Sequence, residues 1–487
     1  MKPYNQLSPY IRGIVDEFLE YAIPTGVPIK ELLSTNVATR AMIRAAEGLL
    51  YRNNPGDADK AIKIIEFVLS QQFKNRYQLI TGSWKTSPLN SRRDANWREF
   101  IGCELILIYE NYRELLPKKL VKLLLLGLQL AALNSKNRNV TPKYTNIAAM
   151  SAILMEYVGR KFKIYSLESA GLHKANRIFE IYFRTQTFSE FNSPTYAGTT
   201  EIAFTLWKKY GSPKLAKLGQ LMESELWERT ADYYNFNLKN ICGPFIRGYG
   251  MDMQKYSSII GLWMAVVLDN KEIVPYPDFD NKKYFEISNI IPIVHLDAQL
   301  PEKVIREFTG FTKSRFREGL VIKHAEPFSS RMKFEISIKE NWMMGGLRKD
   351  LRDWNQRKIG TIYWKDGNSD KIYWLLVPGE GKADVVVTPG FFTIFTKWFQ
   401  KEIRFFVQGA DLREDMFTDR QWVLPGLTFS VYPHKSTITI QKIQDVDAFR
   451  SRWAVGDGEI KSVFEVTCKL KWQLIRQQAI TLEPSSQ

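Results

Sequence analysis

The sequence predicts an α+β protein in two parts, an N-terminal α/α toroid of helical hairpins and a C-terminal antiparallel β-sandwich. Apolar residues recur with a helical period up to about residue 272. Beyond the proline-bearing stretch at 274–284 they alternate with a period of two. The chain has 487 residues, which is long for one ordinary domain. We therefore predict a helical catalytic domain over residues 1–273 and a β-sheet domain over residues 274–487.

The helical half contains about ten segments with an apolar stripe, joined by short connections. In "DADKAIKIIEFVLSQQF" (57–73), Ala61, Ile64 and Val68 share one stripe behind an aspartate cap. The other segments lie near residues 8–23, 36–52, 97–115, 117–135, 145–160, 167–187, 198–210, 213–233 and 254–270. Short connections indicate antiparallel neighbours. Consecutive helical hairpins without the sharp repeat of the common solenoids favour a closed toroid.

The second half is rich in β-branched and aromatic residues of alternating polarity. The predicted strands are 332–340, 360–364, 371–379, 383–389, 402–407, 436–443 and 461–472. Between two of them, "KDGN" (365–368) is a hairpin signal, because Asp-Gly accepts positive φ. This pattern predicts an antiparallel sheet or sandwich.

The charge balance favours a polyanionic partner. The chain has 68 Lys and Arg against 52 Asp and Glu, a formal net charge of +16. Such a field attracts nucleic acid, an anionic membrane or an acidic polysaccharide. The three cysteines and four histidines show no metal-ligand spacing, and no phosphate-binding, GxSxG or HExxH motif is present. We therefore predict neither a metal nor a cofactor.

The N-terminus and the most apolar run both bear on location. "MKPYNQLSPYIRGIVDEFLEY" lacks the basic-then-apolar layout of a signal peptide, which predicts a cytoplasmic protein and leaves a mature secreted form open. "LVKLLLLGLQLAAL" (120–133) is shorter than the roughly 20 residues that span a bilayer. We predict a buried helix there and no membrane partner. Nothing in the sequence indicates the oligomeric state.

Four connections in the helical half combine polar and aromatic side chains. They are "SRRDANWREFIG" (91–102), "VTPKYTNIAAM" (140–150), "FNSPTYAGTT" (191–200) and "NICGPFIRGYGMDM" (240–253). Each precedes a helix, and the inner helices of a toroid all begin at one end. We therefore expect the four connections to line one cleft. Aromatic faces beside amides and charges are typical of a sugar-binding cleft.

The sequence offers five substrate-binding candidates in this cleft, and the motifs that contain them also have structural interpretations. They are Asp94, Trp97, Glu99, Tyr144 and His295. Asp94 could instead cap the helix that contains Trp97. His295 lies at the predicted domain junction and could reach the cleft from the β half. In the third connection, Ser193 followed by Pro194 is typical of a helix cap.

The layout resembles the α/α-toroid polysaccharide lyases, a superfamily that includes the hyaluronate, alginate and heparin lyases. "DANWREFIG", "PKYTNIAAM", "EFNSPTYAG" and "GPFIRGYGMDM", followed by "MMGG" and "GTIYW", are also similar to segments of microbial proteins with this architecture. The resemblance covers the chain from about residue 80 to 365. It implies cleavage of an acidic, uronate-containing polysaccharide or oligosaccharide by β-elimination, with a glycan rather than nucleic acid as partner.

The resemblance also implies roles for particular residues. In such lyases an amide or arginine neutralises the uronate carboxylate, and a tyrosine or histidine removes the proton on C5. Asn146 and Asn192 would be the carboxylate-side amides. Tyr249 would be the proton-transferring tyrosine, with Arg247 beside it in the chain, and Tyr196 is the second candidate. These lyases commonly carry a catalytic histidine in the helical domain.

Histidine is where this chain departs from the lyase pattern. Its predicted helical domain offers only His173. Three explanations are open. A tyrosine transfers the proton without a histidine, or His295 enters the cleft from the β half, or the protein is not a lyase.

Two other functions remain open at this point. An inverting glycoside hydrolase would use a carboxylate pair roughly 6.5–9.5 Å apart. Its candidates are Asp94, Glu99, Glu190 and Asp252. A non-catalytic binder of acidic glycans or nucleic acid would instead use the basic stretches "KSRFR" (313–317) and "LRKDLRDWNQRK" (347–358).

Overall fold

A computed structural model describes most of the chain. The described residues are 1–75, 78–90, 92–276, 284–322, 331–350, 353–367, 369–458, 460–470 and 476–486. Five features of the sequence interpretation fall partly outside these ranges. They are Ser91 in the first polar connection, residues 277–283 at the predicted domain boundary, residues 351–352 in the second basic stretch, Asn368 in the hairpin signal, and residues 471–472 at the end of the last predicted strand.

The N-terminal half is helical, and its helices match the predicted segments closely. Their bounds are α1 Pro9–Ala22, α2 Ile29–Leu32, α3 Thr39–Arg52, α4 Asp57–Ser70, α5 Trp97–Tyr112, α6 Lys118–Arg138, α7 Thr145–Lys161, α8 Tyr165–Thr185, α9 Pro194–Tyr210, α10 Pro213–Tyr233, α11 Ile259–Leu268, α12 Tyr284–Ile287, α13 Ile290–Leu296 and α14 Glu302–Thr309. A short ladder of β1 (Tyr234–Asn235) and β2 (Asn240–Ile241) follows α10.

The helices form a closed double ring. The inner helices α3, α5, α7, α9 and α11 pack against one another in order, and most of their residues are buried. α13 contacts α11, α9 and α3, and so joins the end of the ring to its start. The outer helices α1, α4, α6, α8 and α10 each bury one face against the inner ring. The predicted α/α toroid is confirmed.

α6 contains the most apolar run of the chain, and it lies in the outer layer. Leu124 and Leu128 are fully buried, whereas Leu123 and Leu126 on the opposite face are 45% and 51% exposed. The sequence interpretation of a buried helix is therefore correct for one face only. None of the helices in the described part of the chain is long and apolar enough to cross a membrane.

The helical half extends beyond the predicted boundary at residue 273. α12, α13 and α14 follow it, and the first strand of the second half begins at Arg315. Ile290, Ile291 and Ile293 on α13 are fully buried in the helical core. Pro275 therefore lies in the connection between α11 and α12.

The C-terminal half is an antiparallel β-sandwich, as predicted. Its strands are β3 Arg315–Ile322, β4 Arg331–Ile338, β5 Trp342–Arg348, β6 Asp353–Lys365, β7 Ile372–Glu380, β8 Ala383–Val387, β9 Phe392–Thr396, β10 Glu402–Gln408, β11 Gln421–Leu424, β12 Leu427–Pro433, β13 Ser436–Lys442, β14 Val463–Leu470 and β15 Gln478–Ser486, with α15 (Val446–Trp453) after β13. Across the described ranges one sheet has the order β13-β14-β10-β7-β6-β5-β4-β3 and the other β11-β12-β15-β9-β8. β5 and β4 pack on β8 across the sandwich.

The connection from β2 to α11 is held by the sandwich. Phe245 and Lys358 of β6 exchange two backbone hydrogen bonds of 2.9 Å each. Farther along the connection, the backbone N–H of Gly456 donates to the carbonyl of Tyr249 at 2.6 Å. The carboxylate of Asp457 accepts from the N–H of Met251 at 2.7 Å. The sandwich therefore determines where this part of the helical half lies.

Replacing Gly345 with alanine should weaken this attachment. A Cβ atom there would overlap the carbonyl group of Gly243 and lie 2.8 Å from the nitrogen of Pro244. Because the obstructing atoms are backbone, the connection or β5 has to move. We expect a loss of about 3 kcal/mol in the free energy of unfolding, measured in urea. Gly310→Ala is the control, since nothing lies within 4 Å of its added Cβ. Equal stability in the two variants would contradict this account of the attachment.

Candidate active site

A cleft of about 520 Å³ opens at the end of the toroid where the inner helices begin. Each inner helix contributes a residue from or beside its first turns. These residues are Arg40 of α3, Trp97 of α5, Tyr144 before α7, Tyr196 of α9 and Ile259 of α11. The N-termini of five helices therefore meet at one cleft, as the positions of the polar connections predict.

The connections and β6 complete the lining. Asp94, Asn96, Arg247 and Tyr249 come from the polar connections, and Gln356 comes from the sandwich. Arginines outnumber carboxylates among the described residues that line the cleft. The arginines are Arg40, Arg92 and Arg247, and the carboxylates are Asp94 and Glu286. Helix N-termini carry partial positive charge, so both the backbone and the side chains favour an anionic ligand.

Two tyrosines and one arginine meet inside the cleft. The hydroxyl oxygens of Tyr196 and Tyr249 are 2.9 Å apart. Arg247 Nη2 donates to the Tyr249 hydroxyl at 3.4 Å, and the guanidinium carbon lies 3.8 Å from the centre of the Tyr196 ring. Burial raises the pKa of Tyr196 although Arg247 opposes this, so Tyr196 holds its proton at neutral pH. The Tyr249 oxygen thus has two hydrogen-bond donors within reach.

Arg247 is held in place from both halves of the molecule. Its guanidinium lies 5.3 Å from the ring of Trp354, on the side contributed by β6. Its Nε donates to the side-chain oxygen of Gln356 at 3.4 Å. Stacking between aromatic rings restricts the plane of a guanidinium group. The orientation of Arg247 therefore depends on the sandwich.

"FNSPTYAGTT" is both a helix cap and a wall of the cleft. Ser193 Oγ accepts from the backbone N–H of Tyr196 at 3.2 Å, which is the N-cap bond of α9. The same hydroxyl donates to the carbonyl of Arg247 at 2.6 Å. Pro194 occupies the first turn, as the cap pattern predicts. One serine therefore sets the relative positions of Tyr196 and Arg247.

The first polar connection also has a double role. The Asp94 carboxylate accepts from the backbone N–H of Asn96 at 2.9 Å, so it braces the turn before α5 while it lines the cleft. The Asn96 amide lies 3.5 Å from the Tyr144 hydroxyl. Burial raises the pKa of Tyr144, against the opposing effect of Arg247. Asp94, Trp97 and Tyr144 therefore lie together in the cleft.

The two asparagines assigned to the substrate carboxylate lie elsewhere. Asn146 is fully buried, and its side-chain oxygen accepts from the N–H of Ile147 at 2.7 Å. Asn192 has a φ of +58°, and its amide donates to the carbonyls of Cys242 and, at 3.4 Å, Pro244. Its amide braces the connection that carries Arg247 and Tyr249. We correct both assignments: neither residue lines the cleft.

Three of the predicted acidic residues are buried behind the cleft rather than in it. Glu99 accepts from Ser135 at 2.9 Å and pairs with an arginine of α6. Asp252 accepts from the Asn240 amide at 2.9 Å. Glu190 borders a separate, small cavity of about 40 Å³. Burial raises the pKa of all three carboxyl groups. The prediction that these three residues act at the substrate is therefore wrong, because their side chains are buried in the protein and do not line the cleft.

Glu190 should make the stability of the protein depend on pH. Burial raises its pKa to about 7 from 4.5, against the opposing effect of Arg247. The folded state binds this proton more tightly than the unfolded chain, so the stabilisation is present below pH 4.5 and is lost as the pH rises to 7. Between pH 4.5 and pH 7, we expect the free energy of unfolding of wild type to fall by about 3 kcal/mol relative to that of Glu190→Gln. Parallel curves from pH 4 to 8 would contradict the assignment.

His295 does not reach the cleft, because it lies in the core of the helical half. Its Nδ1 contacts the carbonyl of Ile291 at 2.7 Å, its Nε2 contacts Tyr112, and its ring packs on Tyr51. Burial lowers its pKa to about 3. The prediction of His295 as a substrate-binding residue is thus corrected. His173 lies in a groove formed by α8 and α10.

Sequence reasoning missed several residues of the cleft. Arg40 lies with its guanidinium 4.1 Å from the Phe100 ring, and burial lowers its pKa to about 9. It stands in an ordinary helical segment, so no motif marks it. Gln356 and Trp354 belong to the stretch interpreted as a basic binding run. Both residues contact Arg247, which is more than 100 positions earlier in the chain, so a motif of neighbouring residues does not reveal the contact.

No group of three or more histidine, cysteine, aspartate or glutamate side chains that could hold a metal occurs in the described ranges.

A family profile described as "Domain of unknown function (DUF8769)" matches residues 20–296. This is more than half of the 487-residue chain. The chain belongs to this family. The DUF8769 region ends at Leu296, where α13 ends, and so contains the inner ring and most of the cleft. A search of curated proteins finds no match.

Solved structures with a similar fold include polysaccharide lyases. Heparinase III matches with a TM-score of 0.52 and 10% identity, over 99% of this chain and 86% of that one. Chondroitin AC lyase from Streptomyces coelicolor A3, in complex with chondroitin sulphate, matches with a TM-score of 0.46 and 9% identity, over 100% and 81%. At such identities the similarity to heparinase III shows the fold alone. The DUF8769 region and the sandwich together have a polysaccharide-lyase-like fold.

Proposed function

We propose that the protein cleaves an acidic, uronate-containing glycan by β-elimination, with Tyr249 as the proton-transfer residue. The observation that carries this proposal is the meeting of Tyr249, Tyr196 and Arg247 in a cleft that favours anions. The similarity of the fold to heparinase III supports it.

Elimination needs a neutralised carboxylate, because the proton on C5 of a uronate is otherwise weakly acidic. Arg40 and Arg247 line the cleft, the first buried and the second half-buried, so water screens their charges less than on an open surface. In the proposed complex they bind the uronate carboxylate. Charge that develops on the carboxylate as the proton leaves is then stabilised by groups already in position.

Proton transfer is assigned to Tyr249. In the proposed step its phenolate oxygen takes the C5 proton, and the electrons of the C5–H bond form a C4–C5 double bond. The bond from C4 to the leaving oxygen breaks, and Tyr249 passes the proton to that oxygen. No water is consumed. Tyr196 and Arg247 lie within hydrogen-bond distance of the Tyr249 oxygen, so in the proposed step they hold it in position for the transfer.

The two alternative functions have less support from the geometry. Of the four carboxylates named for hydrolysis, only Asp94 lines the cleft. Within the basic stretches named for a binder, Arg315 and Arg357 make internal contacts. Arg315 donates to the carbonyl of Asp232 at 2.9 Å and pairs with Glu307, and Arg357 pairs with Asp350.

Product masses separate elimination from hydrolysis. The protein is incubated with oligosaccharides of galacturonate, glucuronate-hexosamine and mannuronate, and the products are weighed by mass spectrometry. Elimination produces fragments whose masses sum to that of the substrate, whereas hydrolysis adds one water. Fragments that carry an added water would contradict the proposal.

A further inference from the structure

A second basic pocket, of about 560 Å³, lies on the β-sandwich. Among its described lining residues, five basic side chains accompany one carboxylate, that of Asp384. The basic residues are Arg331, Lys333, Arg348, Lys349 and Arg476. They come from β4, the end of β5 and the start of β15, so the fold rather than one basic run brings them together.

The pairing of β3, β4 and β5 brings three of the pocket residues together. Leu320 of β3 pairs with Lys333 of β4, and Lys333 pairs with Arg348 of β5, so the three side chains form one row on one face. Glu335 of β4 contacts both Lys333, at 3.5 Å, and Arg348. Among the described residues, no hydrogen-bond partner is found for the buried Nε of Arg348. The contacts with Glu335 therefore hold the row in place.

Asp384 connects the pocket to a neighbouring turn. Its carboxylate accepts from the backbone N–H of Lys349 at 2.9 Å and pairs with Arg476 at 3.3 Å. It also pairs with Lys397 at 3.6 Å. Lys397 is the first residue of a turn closed by the N–H of Gln400, which donates to the Lys397 carbonyl at 3.4 Å. The turn therefore lies beside the pocket.

The tip of this turn exposes two aromatic side chains. Trp398 is 65% exposed and Phe399 is 61% exposed. Phe399 has a φ of +63°, a left-handed conformation that favours glycine or asparagine at this position of a turn. Phe399 keeps this conformation while most of its surface is exposed, and strained backbone of this kind clusters at functional sites.

We propose that the pocket and the Trp398–Phe399 turn form a second binding site for an acidic glycan, separate from the catalytic cleft. The aromatic faces stack on sugar rings, and the basic side chains bind the carboxylates or sulfates of the same chain. A concave pocket with cations fixed by Asp384 and Glu335 fits a polymer strand better than a flat membrane surface. The proposal rests on the proposed function for the class of ligand.

In this proposal one long glycan chain occupies both sites. Lys349 in the pocket and Gln356 at the cleft are seven residues apart in the sequence. Their Cα atoms are therefore at most about 25 Å from each other. Binding at the pocket raises the local concentration of a long substrate at the cleft and has no effect on a short one.

The test measures retention of the full-length protein in gels containing polygalacturonate or heparin. Trp398→Ala/Phe399→Ala and Arg348→Gln/Arg476→Gln should each weaken retention by about tenfold or more. Tyr165→Ala/Phe183→Ala is the matched control, because these rings are 78% and 67% exposed on α8. It should bind like wild type. Phe399→Gly, which relieves the left-handed strain, should bind weakly while its melting temperature stays at or above that of wild type.

The outcomes separate this site from the proposed function. Wild-type retention in both double variants would overturn the second site. The second site would also be overturned if Trp398→Ala/Phe399→Ala lost binding to phosphatidylserine vesicles but was retained by the glycan gels like wild type. That result would assign the turn to a membrane. Elimination of a short oligosaccharide should proceed at the wild-type rate in both variants. If wild type eliminates no substrate but the variants still lose retention, the proposed function fails and the second site stands.

Discussion

Replacing Tyr249 with phenylalanine is expected to lower the rate of elimination by about 10³-fold, within the range attributed to a positioned acid–base group. The substitution removes one oxygen atom and keeps the ring, so the shape of the cleft is preserved. That oxygen is the atom to which Tyr196 and Arg247 are directed, at 2.9 and 3.4 Å. Substrate affinity should change little, because the arginines proposed to bind the carboxylate remain.

Kinetics and binding together check this expectation. The turnover number and the dissociation constant of Tyr249→Phe are measured on the same uronate oligosaccharide, the second by calorimetry. Tyr432→Phe is the matched control, since this tyrosine is exposed on the sandwich and its hydroxyl contacts Glu483. It should behave like wild type. Full turnover in Tyr249→Phe would remove Tyr249 from the mechanism.

Replacing Arg247 should have the second-largest effect. Arg247→Gln removes the charge beside Tyr249, and we expect the ratio kcat/KM to fall by about 10²- to 10³-fold, as for loss of one preorganised donor. Arg247→Lys keeps the charge but loses the planar group that lies against Tyr196 and Trp354. It should retain more activity than Arg247→Gln and less than wild type.

A matched pair of variants separates this effect from a general loss of positive charge. Arg413→Gln removes an exposed arginine that pairs with Asp415 on the sandwich. We expect wild-type kinetics from it at physiological salt. Equal losses in Arg247→Gln and Arg413→Gln would show that net charge, rather than the cleft, controls the reaction.

The sequence predicts the helical half well because its signals are local. The caps, the apolar stripes and the short connections each involve neighbouring residues, and α9 begins at Pro194 behind the Ser193 cap as expected. The position of the cleft also follows from a simple rule, since inner helices of a toroid begin at one end. The roles of Tyr196, Tyr249 and Arg247 come instead from the resemblance to the lyases, and these three residues lie together in the cleft.

The errors concern residues whose role depends on distant partners. Asn192 has the composition of a ligand-binding residue, but its amide is used by the carbonyls of Cys242 and Pro244. His295 is polar and near the predicted boundary, yet α13 carries it into the core. The contribution of β6 to Arg247 arises from pairing between the two halves. Motifs and periodicity describe neighbouring residues, so they do not predict contacts between residues that are far apart in the sequence.

The central claim is that the cleft performs elimination at Tyr249, and ultraviolet absorbance during incubation with uronate glycans tests it most directly. Elimination leaves a double bond between C4 and C5, conjugated with the carboxylate, whereas hydrolysis leaves a saturated sugar. The account predicts rising absorbance with at least one glycan for wild type and a flat trace for Tyr249→Phe on the same substrate. A flat trace for wild type alongside new reducing ends, or an equal rise in Tyr249→Phe, would contradict it.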